Sequence, residues 1–250
     1  MLGRLVVGLL GCLGFAAAHA DALTDLRAKL AGFGADGALA ATLDLRCDSR
    51  VGAGDAAKTA DGRIRVDVED GPRGLRLGFD RDLLARAARE AEARAKDPEM
   101  TTPLGDALDK ATPANVAALT NVASALLRLL DGATLKESRA DTHAGAPAQL
   151  LVLDLPARLD REGRDALKHF DAHLKLWLDA SGVPLAAEER ATFDGRKFLI
   201  GFEGSLVEEA RYEAVGARLV AVSRSREETF SGFGLNNRTK TVTTLTLQGR

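Results

Sequence analysis

The side chains best suited to chemistry are two histidines and an aspartate at alternate positions: His169, Asp171 and His173. Alternate residues of a β-strand share one face, and two imidazoles with a carboxylate can bind zinc. The residues between them are apolar and the alternation continues to Leu178, which is also the pattern of a half-buried strand with one polar face. We favour the polar face, keep the three residues as the alternative metal site, and expect no cofactor.

A lone thiol and the missing active-site motifs argue against catalysis. Cys47 would be a nucleophile only beside a base, and neither Arg46 nor Asp48 can serve as one. The sequence has no G-x-S-x-G elbow, no phosphate-binding loop and no G-x-G-x-x-G motif after a strand. We therefore predict that Cys47 is a small core residue and that the protein is not an enzyme.

The first twenty residues have the layout of a cleavable secretory signal. Arg4 precedes an apolar stretch from Leu5 to Ala18, and Ala18-His19-Ala20 forms an A-x-A cleavage site. The stretch is shorter than the roughly 20 residues of a spanning helix. We predict cleavage after Ala20, a periplasmic location and no integral membrane segment in the mature chain.

A lipoprotein is the alternative, because Leu9-Leu10-Gly11-Cys12 resembles a lipobox. Residues 21–250 contain no linker, so we expect a single domain, and Cys47 alone cannot close a disulfide within it. The 34 basic and 36 acidic residues nearly balance and never form a run of five like charges. This balance argues against a nucleic-acid partner and against a strongly anionic membrane partner.

The first half of the mature chain is mainly helical, with an early pair of strands. Leucines at helical spacing predict a helix over 21–33, and alternating residues predict strands at 39–48, 64–68 and 75–79. Asp80 should cap a helix over 81–96 whose opposite, polar face includes Glu90 and Arg94. Its predicted apolar stripe consists of Leu84, Ala87, Ala88, Ala91 and Ala95.

The most apolar helix is predicted over 114–130, after the cap at Thr112-Pro113. A helix this apolar is normally buried against a sheet. From residue 134 onward long alternating segments predict strands, with Asp194-Gly195 as a two-residue hairpin turn. Sequential strands with short turns form an antiparallel meander, so we predict an α+β protein in which helices cover one face of the sheet.

The segment Leu176-Trp177-Leu178-Asp179-Ala180-Ser181-Gly182-Val183-Pro184-Leu185 resembles a strand-turn-strand signature of periplasmic lipoprotein-carrier-like proteins. The order of helices and strands is also similar to that superfamily, which includes lipoprotein carriers and envelope stress sensors. The resemblance implies a curved antiparallel sheet, an open half-barrel, whose concave face is covered by helices around an apolar cavity.

We therefore expect an exported, non-enzymatic binding protein whose cavity takes a lipid, an acyl chain or a hydrophobic segment. The cavity residues would be Val116, Leu119, Val122, Leu126, Trp177, Phe198 and Phe202. An envelope factor that contacts a protein partner through an edge strand, or through Phe230, Phe233 and Leu235, is one alternative. A metal-dependent hydrolase that uses the two histidines and the aspartate is the other.

Overall fold

The computed structural model describes residues 14–34 and 37–249, which form a ten-stranded sheet and six α-helices. The helices are α1 (Gly14–Ala31), α2 (Arg81–Lys96), α3 (Pro103–Lys110), α4 (Pro113–Thr120), α5 (Val122–Leu129) and α6 (Arg161–Ala166). The strands are β1 (Leu39–Val51), β2 (Lys58–Gly71), β3 (Gly74–Phe79), β4 (Thr134–His143), β5 (Ala146–Asp154), β6 (Leu167–Leu178), β7 (Pro184–Lys197), β8 (Ile200–Val215), β9 (Arg218–Gly232) and β10 (Leu235–Leu247).

The strands follow the order β3-β2-β1-β10-β9-β8-β7-β6-β5-β4, and every neighbouring pair is antiparallel. The last strand returns beside the first, with Ala41 opposite Leu247. Strands β3 and β4 form the two edges, so the sheet curves without closing into a barrel. The predicted class, a curved open antiparallel sheet with helices over its concave face, is confirmed.

The helices cover only one half of the concave face. In that half Leu43, Val66, Leu151 and Leu176 are at most 1% exposed, and each buried side chain of this kind stabilises the fold by about 1.5–3 kcal/mol. Strand β9 shows the boundary, because its first four residues are buried and the rest, through Gly232, are only half-buried. The other half of the concave face is therefore open.

The predicted single helix over 114–130 is wrong, because the chain breaks at Asn121 into α4 and α5. The backbone there leaves the helical region, with φ −138° and ψ 65°. The Asn121 side chain accepts a hydrogen bond from the Ser124 N–H at 3.4 Å and caps α5. The break lets both short helices turn their apolar faces to the sheet, with Val116 and Leu126 nearly fully buried.

Helix α2 has the predicted bounds and the predicted Asp80 cap, but the face that it packs against the rest of the protein is not the predicted apolar stripe. Leu83 is buried, whereas Leu84 of the predicted stripe is 46% exposed. Glu90, predicted to be solvated, accepts a hydrogen bond from the backbone N–H of Leu104 at 2.9 Å and holds the start of α3. The partner of this helix is therefore α3.

The predicted turn at Asp194-Gly195 is also wrong, because both residues lie inside β7. The hairpin turns instead at Phe198 and Leu199, which both have positive φ. Gly195 is needed within the strand, since a Cβ there would collide with the ring of Phe202 on β8. The packing of β7 against β8 therefore determines where the hairpin turns, in place of the local Asp194-Gly195 turn signal.

Residues 1–13, including Cys12, lie outside the described part of the chain. Cleavage after Ala20 and the lipoprotein alternative stay predictions. None of the helices in the described ranges is both long and apolar enough to cross a bilayer.

Candidate functional site

The open half of the concave face contains a groove of about 650 Å³, which we call the concave groove. The segment from Leu155 to Leu159 borders it, and strands β6 to β10 form its floor. One side is apolar and the other is charged. The apolar side includes Leu129, Leu155, Phe170, Phe193, Leu206 and Phe230, and the charged side includes Arg158, Glu189, Arg226 and Glu228.

The aromatic wall of the groove depends on two glycines. The register pairs Phe193 with Gly204 and Phe202 with Gly195. A Cβ on either glycine would collide with the ring opposite it, so the glycines provide the room that the rings occupy. The Phe202 ring lies 6.4 Å from that of Phe193 and 6.5 Å from that of Phe230. These spacings are those of packed aromatic pairs, which gives the groove a defined wall.

The charged side is a chain of ion pairs between β8 and β9. Glu208 accepts from Arg224 Nη2 at 2.6 Å and from Arg226 Nη1 at 3.0 Å. Arg226 Nη2 also pairs with Glu228 at 2.6 Å. The Nε atom of Arg224 is buried without a hydrogen bond. Together with Glu189 these residues form what we call the ion-pair band.

Burial raises the pKa of Glu189, and the neighbouring Glu208 raises it further, while Arg226 and Arg224 oppose the shift. Burial likewise raises the pKa of the Tyr212 hydroxyl, and Glu208 adds to that effect. Both shifts favour the neutral form of a group close to the band. The band therefore combines paired charges with a carboxyl that releases its proton less readily than usual.

Replacing Glu189 by glutamine should make the protein more stable than wild type at pH 7. The unfolded carboxyl titrates near 4.5 and the folded one above that value. Between these two pKa values the folded state holds more protons than the unfolded state, so wild-type stability falls as the pH rises from one value to the other. Urea unfolding should show a higher free energy of unfolding for the variant than for wild type at pH 7, and no such difference at pH 4. Glu92→Gln, on the exposed face of α2, is the control, and a less stable Glu189→Gln at pH 7 would contradict the prediction.

A smaller cavity of about 300 Å³ lies beside the groove, under α4. It shares Arg226 and Glu228 with the groove, so the ion-pair band separates the two spaces. Of the predicted cavity residues, Val116 and Leu119 line this smaller cavity. The other two on the helices, Val122 and Leu126, are buried in the core.

Two predicted cavity residues lie away from the concave groove, and one lies beside it. Trp177 is on the outer face of β6, where its Nε1 donates to Asp141 Oδ2 at 3.1 Å and its ring lies 5.5 Å from that of His143. Phe198 is 85% exposed at the β7–β8 turn. Trp177 lies on the outer face because successive residues of a strand point to opposite faces. Phe198 is exposed because the hairpin turns at this residue. Phe202 packs in the aromatic wall, as described above.

The histidine and aspartate set lies on the outer face and is not assembled as a metal site. His169 Nδ1 pairs with Asp194 at 2.9 Å, and His173 pairs with Asp154 at 2.8 Å and Asp171 at 3.0 Å. Each histidine thus bonds carboxylates of its own. Within residues 14–34 and 37–249 no three His, Cys, Asp or Glu side chains are grouped to hold a metal ion.

The remaining candidates differ in exposure. Cys47 is 2% exposed, and burial raises the pKa of its thiol, so it is placed as a core residue. Among the predicted partner contacts, Phe230 lines the groove, whereas Phe233 and Leu235 are 42% and 50% exposed at the β9–β10 turn. A contact with a protein partner stays a prediction.

The ion-pair band was not predicted from the sequence. Arg224, Arg226 and Glu228 alternate along β9 on the same face as Phe230, which lines the groove. That alternation was the available signal. It was obscured because the residues between them are also polar, so the strand has no apolar face to mark its inner side.

Comparisons with known proteins give little beyond this geometry. No family model matches the chain, and no curated protein matches it. The matching solved structures include MucB in complex with MucA(peri), at 10% identity over 92% of this chain and 93% of that chain, with a TM-score of 0.19. The resemblance to lipoprotein carriers stays a prediction, and the confirmed statement is the fold class.

Proposed function

We propose that this protein is an exported, non-enzymatic binding protein whose concave groove takes an amphipathic ligand, such as a lipid, an acyl chain or a hydrophobic segment. The observation that carries the proposal is the groove of about 650 Å³ with one aromatic and one charged side. Ligand sites in proteins are typically 300–1,000 Å³ concave spaces lined by apolar residues and a few polar groups, roughly the size and make-up found here.

The two sides of the groove favour a ligand with an apolar part and a polar part. Phe170, Phe193 and Phe230 offer an apolar surface that a chain or ring can cover. Across the groove, Arg226 and Glu228 offer a donor and an acceptor. A purely apolar ligand would leave part of this charged side without water or a partner, which is unfavourable.

Binding without catalysis agrees with the pairing of the arginines in the ion-pair band. Arg226 and Glu228 pair with each other, and Glu208 pairs with both arginines of the band. Paired groups of this kind hold a fixed charge pattern and are not activated as nucleophiles. The periplasmic location in the proposal rests on the signal-like residues 1–20.

Filling the groove should abolish binding. Ala191 lies on its floor between Ala172 and Leu206 of the flanking strands. The variant Ala191→Trp should bind the fluorescent amphipathic probe 1-anilinonaphthalene-8-sulfonate at least about tenfold more weakly, because a loss of 1.4 kcal/mol is enough for that change. A titration of probe fluorescence measures it.

The matched control is Ala85→Trp, which places the same side chain on the exposed face of α2 and should leave probe affinity unchanged. Native mass spectrometry of gently purified wild type should also show an added mass that Ala191→Trp lacks. Equal probe affinity of wild type and Ala191→Trp would contradict the proposal.

A further inference from the structure

Strand β4 is the longer of the two strands at the edges of the sheet, with ten residues against six in β3. One of its sides pairs with β5, and no described strand lies along the other. The backbone N–H and C=O groups of that free side can therefore pair with a further strand. None of the ten residues is buried, so the edge is open to a partner.

A bulge separates the start of β4 from a regular remainder. The register shifts between Leu135 and Glu137, which leaves Lys136 without an opposite residue on β5. Bulges and edge lysines both discourage pairing with another chain. From Glu137 to His143 the ladder with β5 is uninterrupted and contains neither feature. This regular part of β4 is the stretch on which a second strand can pair.

The regular part of β4 carries alternating charges on the outer face of the sheet. Glu137, Arg139, Asp141 and His143 lie at alternate positions and share that face. Arg139 Nε pairs with Glu137 at 2.9 Å, and its Nη1 lies 3.7 Å from Asp141, all along one strand. The residues directly opposite on β5 are uncharged: Val152, Leu150 and Ala148. A charged cross-strand partner can therefore come only from a strand on the free side.

This row of charges is complementary to itself in one antiparallel register. Opposite residues of antiparallel strands lie on the same face, so the two-fold axis between two copies passes through a residue. With the axis at Ala140, Arg139 of each copy lies opposite Asp141 of the other. Glu137 then lies opposite His143, whose ring N–H can donate to it. Opposite charges at such positions stabilise a pair of strands.

The neighbouring registers are unfavourable. An axis at Arg139 would place the two arginines opposite each other and Glu137 opposite Asp141. An axis at Asp141 would place the two aspartates opposite each other. An axis at Ser138 would bring the bulge into the shared ladder. Because like charges directly opposite each other destabilise a strand pair, the sequence of β4 selects the register described above.

We propose that two copies of this protein dimerise by pairing their β4 strands, which joins the two sheets into one. Backbone hydrogen bonds along the paired edges supply the affinity. The charges set the register, since an exposed ion pair contributes only about 0–1 kcal/mol. A second copy fits better than an unrelated strand because the edge is complementary to itself. Helix α1 contacts β4 from the concave side and leaves the outer row of charges uncovered.

A charge exchange tests both the dimer and its register. Sedimentation equilibrium over about 1 to 100 μM protein measures Kd, and we expect wild type to dimerise in this range. Arg139→Glu alone and Asp141→Lys alone should each raise Kd at least about tenfold, because each puts like charges opposite each other at two symmetric positions. An equimolar mixture of the two variants should form heterodimers about as tightly as wild type, since opposite charges face each other again.

Arg76→Glu, on the other edge strand, is the matched control and should leave Kd unchanged. Thermal unfolding checks that each variant folds. Asp141→Lys removes the acceptor of the Trp177 Nε1 hydrogen bond, so the pair Glu137→Lys and His143→Glu repeats the exchange with that bond intact.

Dimerisation does not rest on the concave groove, so Ala191→Trp should dimerise as wild type does even if the proposed function fails. A wild type that stays monomeric over the whole range would overturn the proposal and leave the edge to a different strand. Either single variant dimerising like wild type, or folded variants that do not recover on mixing, would overturn it as well.

Discussion

Replacement of Arg218 by methionine is expected to lower the free energy of unfolding by about 3–5 kcal/mol. Arg218 begins β9 and its side chain is 3% exposed. Its Nη1 donates to Asp70 Oδ2 at 2.8 Å and its Nη2 donates to the Gly37 carbonyl at 3.0 Å. Thr120, at the end of α4, donates to the same Asp70 oxygen at 2.7 Å. One buried ion pair thus joins β9, β2 and α4. Removing the arginine leaves the largely buried Asp70 carboxylate without a positively charged partner.

Urea unfolding of wild type and variant measures this loss. Arg63→Met is the matched control, since Arg63 pairs with Asp61 at 3.5 Å while both side chains are well exposed. An exposed pair contributes only about 0–1 kcal/mol. Replacing both buried partners, Arg218→Met with Asp70→Leu, should recover part of the loss because no lone charge remains buried. A cost below that of the control would show that the buried pair is not structural.

Replacement of Gly62 by alanine is expected to cost about 3 kcal/mol, at the upper end for an overpacked site. Gly62 is buried on β2 where α3 crosses the strand. A Cβ there would collide with the carbonyl group of Pro103 and would also lie 3.1 Å from the Ala107 side chain. Because the obstacle is backbone, the whole of α3 must move to make room.

Gly201→Ala, on β8, is the control for this change. A Cβ at Gly201 has its nearest neighbour, the Gly195 carbonyl oxygen, 4.0 Å away, so the same methyl group should change stability by less than about 0.5 kcal/mol. Thermal and urea unfolding of the two variants give the comparison. Equal stability of Gly62→Ala and Gly201→Ala would mean that α3 does not pack against β2 as closely as described.

The strands and caps that could be predicted are those specified by neighbouring residues. Ile64, Val66 and Val68 alternate with charged residues, and all three are buried on β2. The Thr112 hydroxyl accepts from the Asn115 N–H at 3.2 Å, as its position before a proline predicted. Such signals lie within a few residues of each other, so the sequence contains them without knowledge of the fold.

The missed features depend on residues that are distant along the chain. Glu90 has the sequence context of a solvated residue because its partner, the start of α3, lies 14 residues away. Asp194-Gly195 has the local sequence of a turn, because the Phe202 ring that fills the space at Gly195 belongs to the next strand. In both cases a neighbour brought in by folding overrode the local preference.

The sequence by itself determined the type of protein: an antiparallel sheet with helices on one face, because hydrophobic periodicity and capping residues are local. Only the tertiary structure decided where a ligand can bind. From Arg224 to Thr229 strand β9 is polar on both sides, and the tertiary structure places Arg226 and Glu228 in the groove while Glu227 pairs with Arg238 on the outer face. A pattern with two polar faces carries no information about which one lies inward, so that choice belongs to packing across strands.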